Sequence, residues 1–193
     1  ASAAERRAGD RRYSIRGVMG PDEFHEAYPS SERPGIDDNA YTNVMAAWVL
    51  ARALEILEIL PGDRRVEICD RLSIAGEELD LWDEVSRGLV IPFHDGVISQ
   101  FEGYEKLEEL DWEGYRDRYG NVQRLDRILE SEGDTPNRYK ASKQADVLML
   151  FYLFTAEELE ELFERLGYEW DPEIIRRTVD YYLRRTSHGS TLS

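Results

Sequence analysis

The chain has 193 residues, of which 41% are hydrophobic and 33% are charged, a composition typical of one globular domain and not of a disordered segment. Its formal net charge of −16 opposes binding to nucleic acid, because that affinity depends mainly on basic residues that neutralise phosphates. A small anionic ligand remains compatible with the charge, since a local cluster of donors can override a distant negative field.

Cysteine content and hydropathy indicate the cellular compartment that suits the protein. Cys69 is the only cysteine, which allows no internal disulfide and fits a reducing compartment. The longest apolar run, 147–154, is far shorter than the roughly 20 residues that span a bilayer, and no leader-like segment opens the chain. We therefore expect a soluble, cytoplasmic protein with no membrane partner. Because the chain starts at Ala1 without a methionine and stops in a polar loop, we expect residues 1–193 to form a single partial domain, truncated at both ends.

Glycines and prolines predict an irregular opening segment that lasts to about residue 36. Asp37 or Asp38 is then expected to cap a helix from about Ala40 to Leu60. Only a narrow stripe of this helix is polar, so we expect it to be buried on most of its circumference. A second helix is predicted from about Arg64 to Arg87, after the break at Pro61-Gly62-Asp63.

The middle of the chain carries one clear strand signal. Asp95-Gly96 lies between apolar residues in the segment 89–99, which predicts a small β-hairpin. The segment 108–119 is expected to be irregular or a short helix, and 122–130 is predicted to be helical.

The last third is predicted to contain three helices. Ser142 is expected to cap a helix that carries the run 147–154, which is apolar on all sides and should therefore be internal. Thr155 and Glu158 form a capping-box pair for the next helix, and Asp171-Pro172 marks the start of the final one. Successive helices, some apolar all round, favour stacked helix pairs or a helical barrel over a four-helix bundle.

The first candidate for chemistry is Glu23, which follows a turn fixed by Gly20 and Pro21 and precedes Phe24. A carboxylic acid held by a rigid turn against an aromatic ring can keep its proton near neutrality and act as a general acid. The alternative is a solvated acidic helix start, which spacing alone favours.

Two further segments could bind a ligand. Lys143-Gln144 is predicted on the first turn of a helix. A lysine there opposes the helix dipole, which suggests a partner such as sugar hydroxyls or an anion. The alternative is a lysine whose side chain merely extends to water. The terminal loop 186–193 combines hydroxyls with His188, which are suitable donors to a phosphate, or it is an ordinary polar linker. The histidines show no metal-ligand spacing, so no metal is expected.

Together and in this order, these segments resemble glycoside hydrolase family 65, the maltose, trehalose and kojibiose phosphorylases. The resemblance covers nearly the whole chain. Five strings carry it: Gly20-Pro21-Asp22-Glu23-Phe24-His25, Asp38-Asn39-Ala40-Tyr41-Thr42-Asn43, Gln100-Phe101-Glu102-Gly103, Lys143-Gln144-Ala145-Asp146-Val147 and His188-Gly189-Ser190-Thr191-Leu192-Ser193.

The resemblance implies an all-α fold, namely part of an (α/α)6 barrel with one small β-hairpin. It implies inverting phosphorolysis of an α-linked glucose disaccharide of the trehalose, maltose or kojibiose type, giving β-glucose 1-phosphate and a sugar. The partners would be the disaccharide and inorganic phosphate, with no cofactor, and the full-length protein is expected to be a homodimer. The implied roles are general acid for Glu23, glucose binding for Lys143 and Gln144, and phosphate binding for His188, Ser190 and Thr191.

This chemistry suits the residue types. An inverting glycosidase needs an acid and a base that activates water, whereas phosphate is already an anionic nucleophile and needs no base. The chain departs from the family pattern at Phe24, where many members have tyrosine, at Asp38, where many have asparagine, and in the loop after His188. These departures leave the acceptor sugar open. The family's upstream glucose-binding segment is absent, so the isolated chain is expected to be inactive.

Two alternatives remain. An α-glucoside hydrolase of the trehalase type, on the same barrel, would need a second carboxylate opposite Glu23, and the sequence identifies none. A catalytically incomplete carbohydrate-binding fragment would need no intact acid, so the presence of Glu23 with Lys143-Gln144 and His188 argues against it.

Overall fold

The computed structural model of the chain describes residues 3–188, and this part is mainly helical. Two short antiparallel sheets accompany the helices. In chain order the elements are β1 (Ala4–Arg6), β2 (Tyr13–Ile15), α1 (Ala40–Ile59), α2 (Gly62–Leu72), α3 (Gly76–Gly88), β3 (Phe93–His94), β4 (Val97–Ile98), α4 (Trp112–Tyr119), α5 (Leu125–Ser131), α6 (Asp146–Leu153), α7 (Ala156–Arg165) and α8 (Glu173–Leu183), with 3₁₀ turns at Tyr104–Lys106 and Pro136–Arg138. The all-α prediction is confirmed.

Helix α1 begins at Ala40, as predicted, but the residue that caps it lies after both predicted caps. Asn39 is the N-cap, and its side chain accepts a hydrogen bond from the Thr42 backbone N–H at 2.9 Å, so neither Asp37 nor Asp38 fills that role. Asp38 instead takes a left-handed backbone (φ 51°) and accepts from the Ser14 hydroxyl at 2.9 Å. Burial raises the pKa of Asp38 to about 6. This side chain ties β2 to the start of α1.

The predicted helix over 64–87 is wrong, because the segment forms α2 and α3 with a break between them. Ser73 ends α2 in the left-handed conformation (φ 56°), and its N–H donates to the Asp70 carbonyl. A left-handed residue is a common helix terminator, but glycine usually supplies it. Serine there gives no strong sequence signal.

The hairpin prediction is confirmed. Strands β3 and β4 pair antiparallel with Phe93 opposite Ile98, and Asp95 (φ 46°) and Gly96 (φ 74°) form the two-residue turn. Both turn residues have positive φ, as this tight hairpin connection requires. The β1–β2 pair was not predicted, because its strands are too short to show a periodicity.

Helix α6 begins later than predicted. Its N-cap is Ala145, and Ser142 provides no cap; instead, the Ser142 backbone N–H donates to the Arg185 carbonyl and its carbonyl accepts from Ser187, both at 2.8 Å. Lys143-Gln144 therefore precedes the helix and does not lie on its first turn. The next helix, α7, has the predicted capping box of Thr155 and Glu158.

The predictions that α6 is internal and that α1 is buried on most of its circumference are also wrong. Tyr152 of α6 is 90% exposed and Ile56 of α1 is 57% exposed. Within residues 3–188, neighbouring elements cover only part of each helix. Apolar composition indicates which surfaces favour contact but not how many neighbours are present to cover them.

The core consists of two clusters. In the larger one, α1 packs against α3, α6 and α7, and α8 packs against β4 and α6. A smaller cluster surrounds Phe24 and includes Leu125 and Leu129 of α5. The turn that carries Phe24 contributes to the smaller cluster, and the start of α6 contributes Ala145 and Val147 to the larger one. No helix within residues 3–188 is both long and apolar enough to cross a bilayer.

Candidate active site

The turn that carries Glu23 is packed tightly against the start of α6. A Cβ atom on Gly20 would collide with Asp146 Oδ2 and would lie 2.5 Å from Asn39 Nδ2, so only glycine fits this approach. Directly after Glu23, the buried ring of Phe24 enters the smaller hydrophobic cluster. Glycine on one side and a buried ring on the other fix the backbone from which Glu23 projects.

Glu23 projects away from the hydrophobic cluster and pairs with Lys143. Its Oε2 lies 2.6 Å from Lys143 Nζ, and the Glu23 side chain is 61% exposed while that of Lys143 is 15% exposed. The predicted environment, a carboxyl group shielded by the Phe24 ring, is therefore wrong, because that ring is buried elsewhere. The charged group that Glu23 contacts is the ammonium of Lys143.

A buried polar network lies beneath this pair. Asp22 accepts from the backbone N–H of Lys143 at 3.0 Å and from Gln100 Nε2 at 2.7 Å. Asn39 Nδ2 donates to Asp146 Oδ2 at 2.8 Å, while Asp146 Oδ1 is buried without a hydrogen-bond partner among the described residues. Burial, followed by the nearby Asp22 carboxylate, raises the pKa of Asp146 to about 8. One carboxyl group of this network is thus neutral at pH 7.

Gln144 connects the turn to a cavity. Its Nε2 donates to the Pro21 carbonyl at 3.0 Å, and its buried Oε1 has no hydrogen-bond partner within residues 3–188. The cavity has a volume of about 500 Å³. Its lining includes Gln144, Leu148, Met149, Tyr152, Thr186 and His188.

The structure therefore brings together most of the residues that the sequence singled out. Glu23 contacts Lys143, and Gln144 shares a cavity with His188, which has a left-handed backbone (φ 52°). Ser190 and Thr191, the other predicted phosphate-binding residues, lie outside the described residues. The predicted roles of all six residues remain predictions.

Sequence reasoning assigned no role to Asp22, Gln100 or Asp146. All three lie in strings that carried the family resemblance, but their contacts join positions far apart in the chain. Within residues 3–188, no group of three or more His, Cys, Asp and Glu side chains is arranged to hold a metal ion.

Comparison with known proteins places the chain among carbohydrate-active catalytic domains. The profile of the glycosyl hydrolase family 65 central catalytic domain matches residues 1–193. The chain belongs to this family.

Named relatives cover nearly all of the chain. It is 63% identical over 182 residues to an uncharacterized glycosyl hydrolase of Mycobacterium tuberculosis, covering 94% of the chain and 14% of that protein. It is 42% identical over 185 residues to the trehalose 6-phosphate phosphorylase of Lactococcus lactis, covering 95% of the chain and 22% of that protein. The chain thus spans less than a quarter of either relative's length.

A solved structure confirms the fold. A candidate kojibiose phosphorylase from the human microbiome superposes with a TM-score of 0.71 at 23% identity, over 99% of this chain and 25% of that one. At this identity the likeness concerns the fold alone. The chain therefore has the fold expected for part of the family's helical barrel.

Proposed function

We propose that the protein containing this chain phosphorolyses an α-linked glucose disaccharide with inversion, releasing β-glucose 1-phosphate and a sugar. The observation that carries the proposal is the contact between Glu23 and Lys143 at 2.6 Å, on a turn held by buried contacts. Family membership and similarity to a trehalose 6-phosphate phosphorylase support the reaction type.

In this proposal Glu23 protonates the glycosidic oxygen as the bond to the departing sugar breaks. Lys143, whose Nζ lies 2.6 Å from Glu23 Oε2, would donate hydrogen bonds to hydroxyls of the glucose that is transferred. Gln144, which lines the cavity, would bind the same sugar.

Phosphate would attack the anomeric carbon from the face opposite the acid. His188 lines the cavity next to Gln144, and we propose that it binds this phosphate together with Ser190 and Thr191. An anion placed in that position needs no base to activate it, so one acid suffices.

The similarity to a trehalose 6-phosphate phosphorylase favours phosphorolysis over hydrolysis. An inverting hydrolase needs a second carboxylate to activate water, and the cavity lining within residues 3–188 contains none. Asp146, which lies beneath the site, is buried and does not line the cavity, so it is not placed to activate a water molecule there.

The test is a product assay on the full-length protein. Trehalose, trehalose 6-phosphate, maltose, kojibiose and nigerose are each supplied with and without inorganic phosphate, and β-glucose 1-phosphate and free glucose are measured. We expect β-glucose 1-phosphate from one of them, only when phosphate is present. Release of free glucose at the same rate without phosphate would instead identify a hydrolase.

A matched pair of variants tests the acid. Glu23→Gln removes the proton donor and is expected to lower kcat by about 100-fold or more, in the range attributed to general acid catalysis. Glu26→Gln changes an exposed glutamate of the same segment and should leave kcat unchanged. Equal activity of the two variants would reject Glu23 as the acid.

A further inference from the structure

Asp22 is a buried carboxylate whose hydrogen bonds converge from distant parts of the chain. It is 3% exposed. Its Oδ1 accepts from the backbone N–H groups of Phe24 at 3.3 Å and Lys143 at 3.0 Å, and its Oδ2 accepts from Gln100 Nε2 at 2.7 Å. His25 Nδ1 lies 3.5 Å from Oδ2 without hydrogen-bond geometry.

The orientation of Gln100 requires an acceptor at position 22. Gln100 Oε1 accepts from the Ser142 hydroxyl at 3.2 Å, so its Nε2 must point towards Asp22. An asparagine at position 22 could still accept from the two backbone N–H groups, but its amide nitrogen would then face the Gln100 amide nitrogen. Either two donors would meet in a buried place, or Gln100 would have to turn its amide and the Ser142 hydroxyl would have to accept instead of donate.

These contacts connect Glu23 with Lys143, the charged pair of the proposed site. Glu23 follows Asp22 directly in the chain, and the backbone N–H of Lys143 binds the Asp22 carboxylate. The backbones that carry Glu23 and Lys143 are therefore fixed to the same side chain, although Lys143 lies 121 positions from Asp22 in the sequence.

We propose that Asp22 is a positioning residue that sets the distance between Glu23 and Lys143, with Gln100 holding the carboxylate in place. The inference rests on the proposed phosphorolysis, since it gives the two positioned side chains their purpose. Asp22 itself contacts no reacting atom in this proposal. A misplacement of about 1 Å at a catalytic group can cost a reaction about 100-fold in rate.

An exchange of the two side chains separates the need for the hydrogen bonds from a need for the charge at position 22 itself. In Asp22→Asn, the network is disturbed either by two facing donors or by the turn of the Gln100 amide that relieves them. In the double variant Asp22→Asn with Gln100→Glu, the asparagine amide donates to the new carboxylate, and the Ser142 hydroxyl retains its acceptor. The double variant therefore restores every hydrogen bond, with donor and acceptor reversed between positions 22 and 100.

The experiment measures kcat and KM for phosphorolysis by the full-length protein, with inorganic phosphate and the disaccharide that the product assay identifies. We expect Asp22→Asn to lower kcat about 10- to 100-fold with a smaller change in KM. If the loss is about 100-fold, the kcat of the double variant should be about 10-fold or more above that of Asp22→Asn. Asp111→Asn is the matched control, because Asp111 also accepts from a backbone N–H, that of Gly114 at 3.0 Å, and the change should leave kcat unaltered.

Two results would overturn the proposal. One is a folded Asp22→Asn protein with the kcat of the original. The other is a folded double variant that has lost as much activity as Asp22→Asn. If Asp22→Asn does not fold, the double variant alone decides: a kcat within about 10-fold of the original supports positioning, and a lower one contradicts it.

Amide hydrogen exchange tests whether Asp22 anchors Lys143 without any measurement of the proposed reaction. If no disaccharide is phosphorolysed, the proposed reaction fails, but the anchoring of Lys143 can still be tested. Faster exchange of the Lys143 amide in Asp22→Asn, with slower exchange restored in the double variant, would support anchoring by Asp22. Unchanged exchange would contradict it.

Discussion

The neutral carboxyl group of Asp146 leads to a quantitative prediction about stability. Its pKa is raised from 3.8 to about 8, first by burial and then by the Asp22 carboxylate. Between these pH values the folded protein holds a proton that the unfolded chain releases. The contribution of Asp146 to stability is therefore fully present below about pH 4 and is lost as the pH rises towards about 8.

Asp146→Asn removes this titration while keeping the shape of the side chain. The amide oxygen can still accept from Asn39, which donates to Asp146 Oδ2 at 2.8 Å in the structure. Relative to the original protein, the variant should gain about 1.4 kcal/mol in the free energy of unfolding for each pH unit. Between about pH 5 and 7 the gain amounts to about 3 kcal/mol on the same basis.

Equilibrium denaturation at a series of pH values, followed by tryptophan fluorescence, measures this difference. Asp171→Asn is a control of opposite sign, because a hydrogen bond from Arg177 lowers the pKa of Asp171. Its contribution is lost only as the pH falls below about 4, so its stability difference should be flat from about pH 5 to 7. A flat or falling difference for Asp146→Asn over that range would refute the reasoning about Asp146.

Two local features give further predictions. Gly20→Ala places a Cβ atom in collision with Asp146 Oδ2 and should lower the free energy of unfolding by about 1–3 kcal/mol. Gly76→Ala is the control, because nothing lies within 4 Å of the added Cβ atom, and it should cause no such loss. Equal melting temperatures of the two variants would contradict this prediction. Thr155→Ala removes the N-cap hydrogen bond of α7 and should lower the free energy of unfolding, measured by denaturant titration, by about 1 kcal/mol. Thr155→Ser keeps a hydroxyl and should lower it much less. An equal loss in both variants would reject the capping explanation.

Local signals predicted the elements whose determinants are close together in sequence. The turn at Asp95-Gly96 has both residues at positive φ, and Thr155 with Glu158 makes both bonds of the capping box. The break at Ser73 was missed because a left-handed serine can be recognised only when the backbone is known.

The sequence predicted the site only in part, because the contacts that form the site join distant parts of the chain. Glu23 and Lys143 were recognised through the family resemblance, but their contact joins positions 120 apart. Periodicity and capping rules describe neighbours along the chain and cannot place such pairs. The support from Asp22 and Gln100 is equally non-local, and it became visible only in the folded structure.

The long separation between the two halves of the site also bears on how the protein folds. The contact of Glu23 with Lys143 closes a loop of about 120 residues, and closing a longer loop costs more chain entropy. Contacts of high sequence separation slow folding, because that entropy is lost before the contacts reward it. The hairpin and the α7 cap can form from nearby residues alone. We therefore expect the site to be among the last parts of the chain to become ordered during folding.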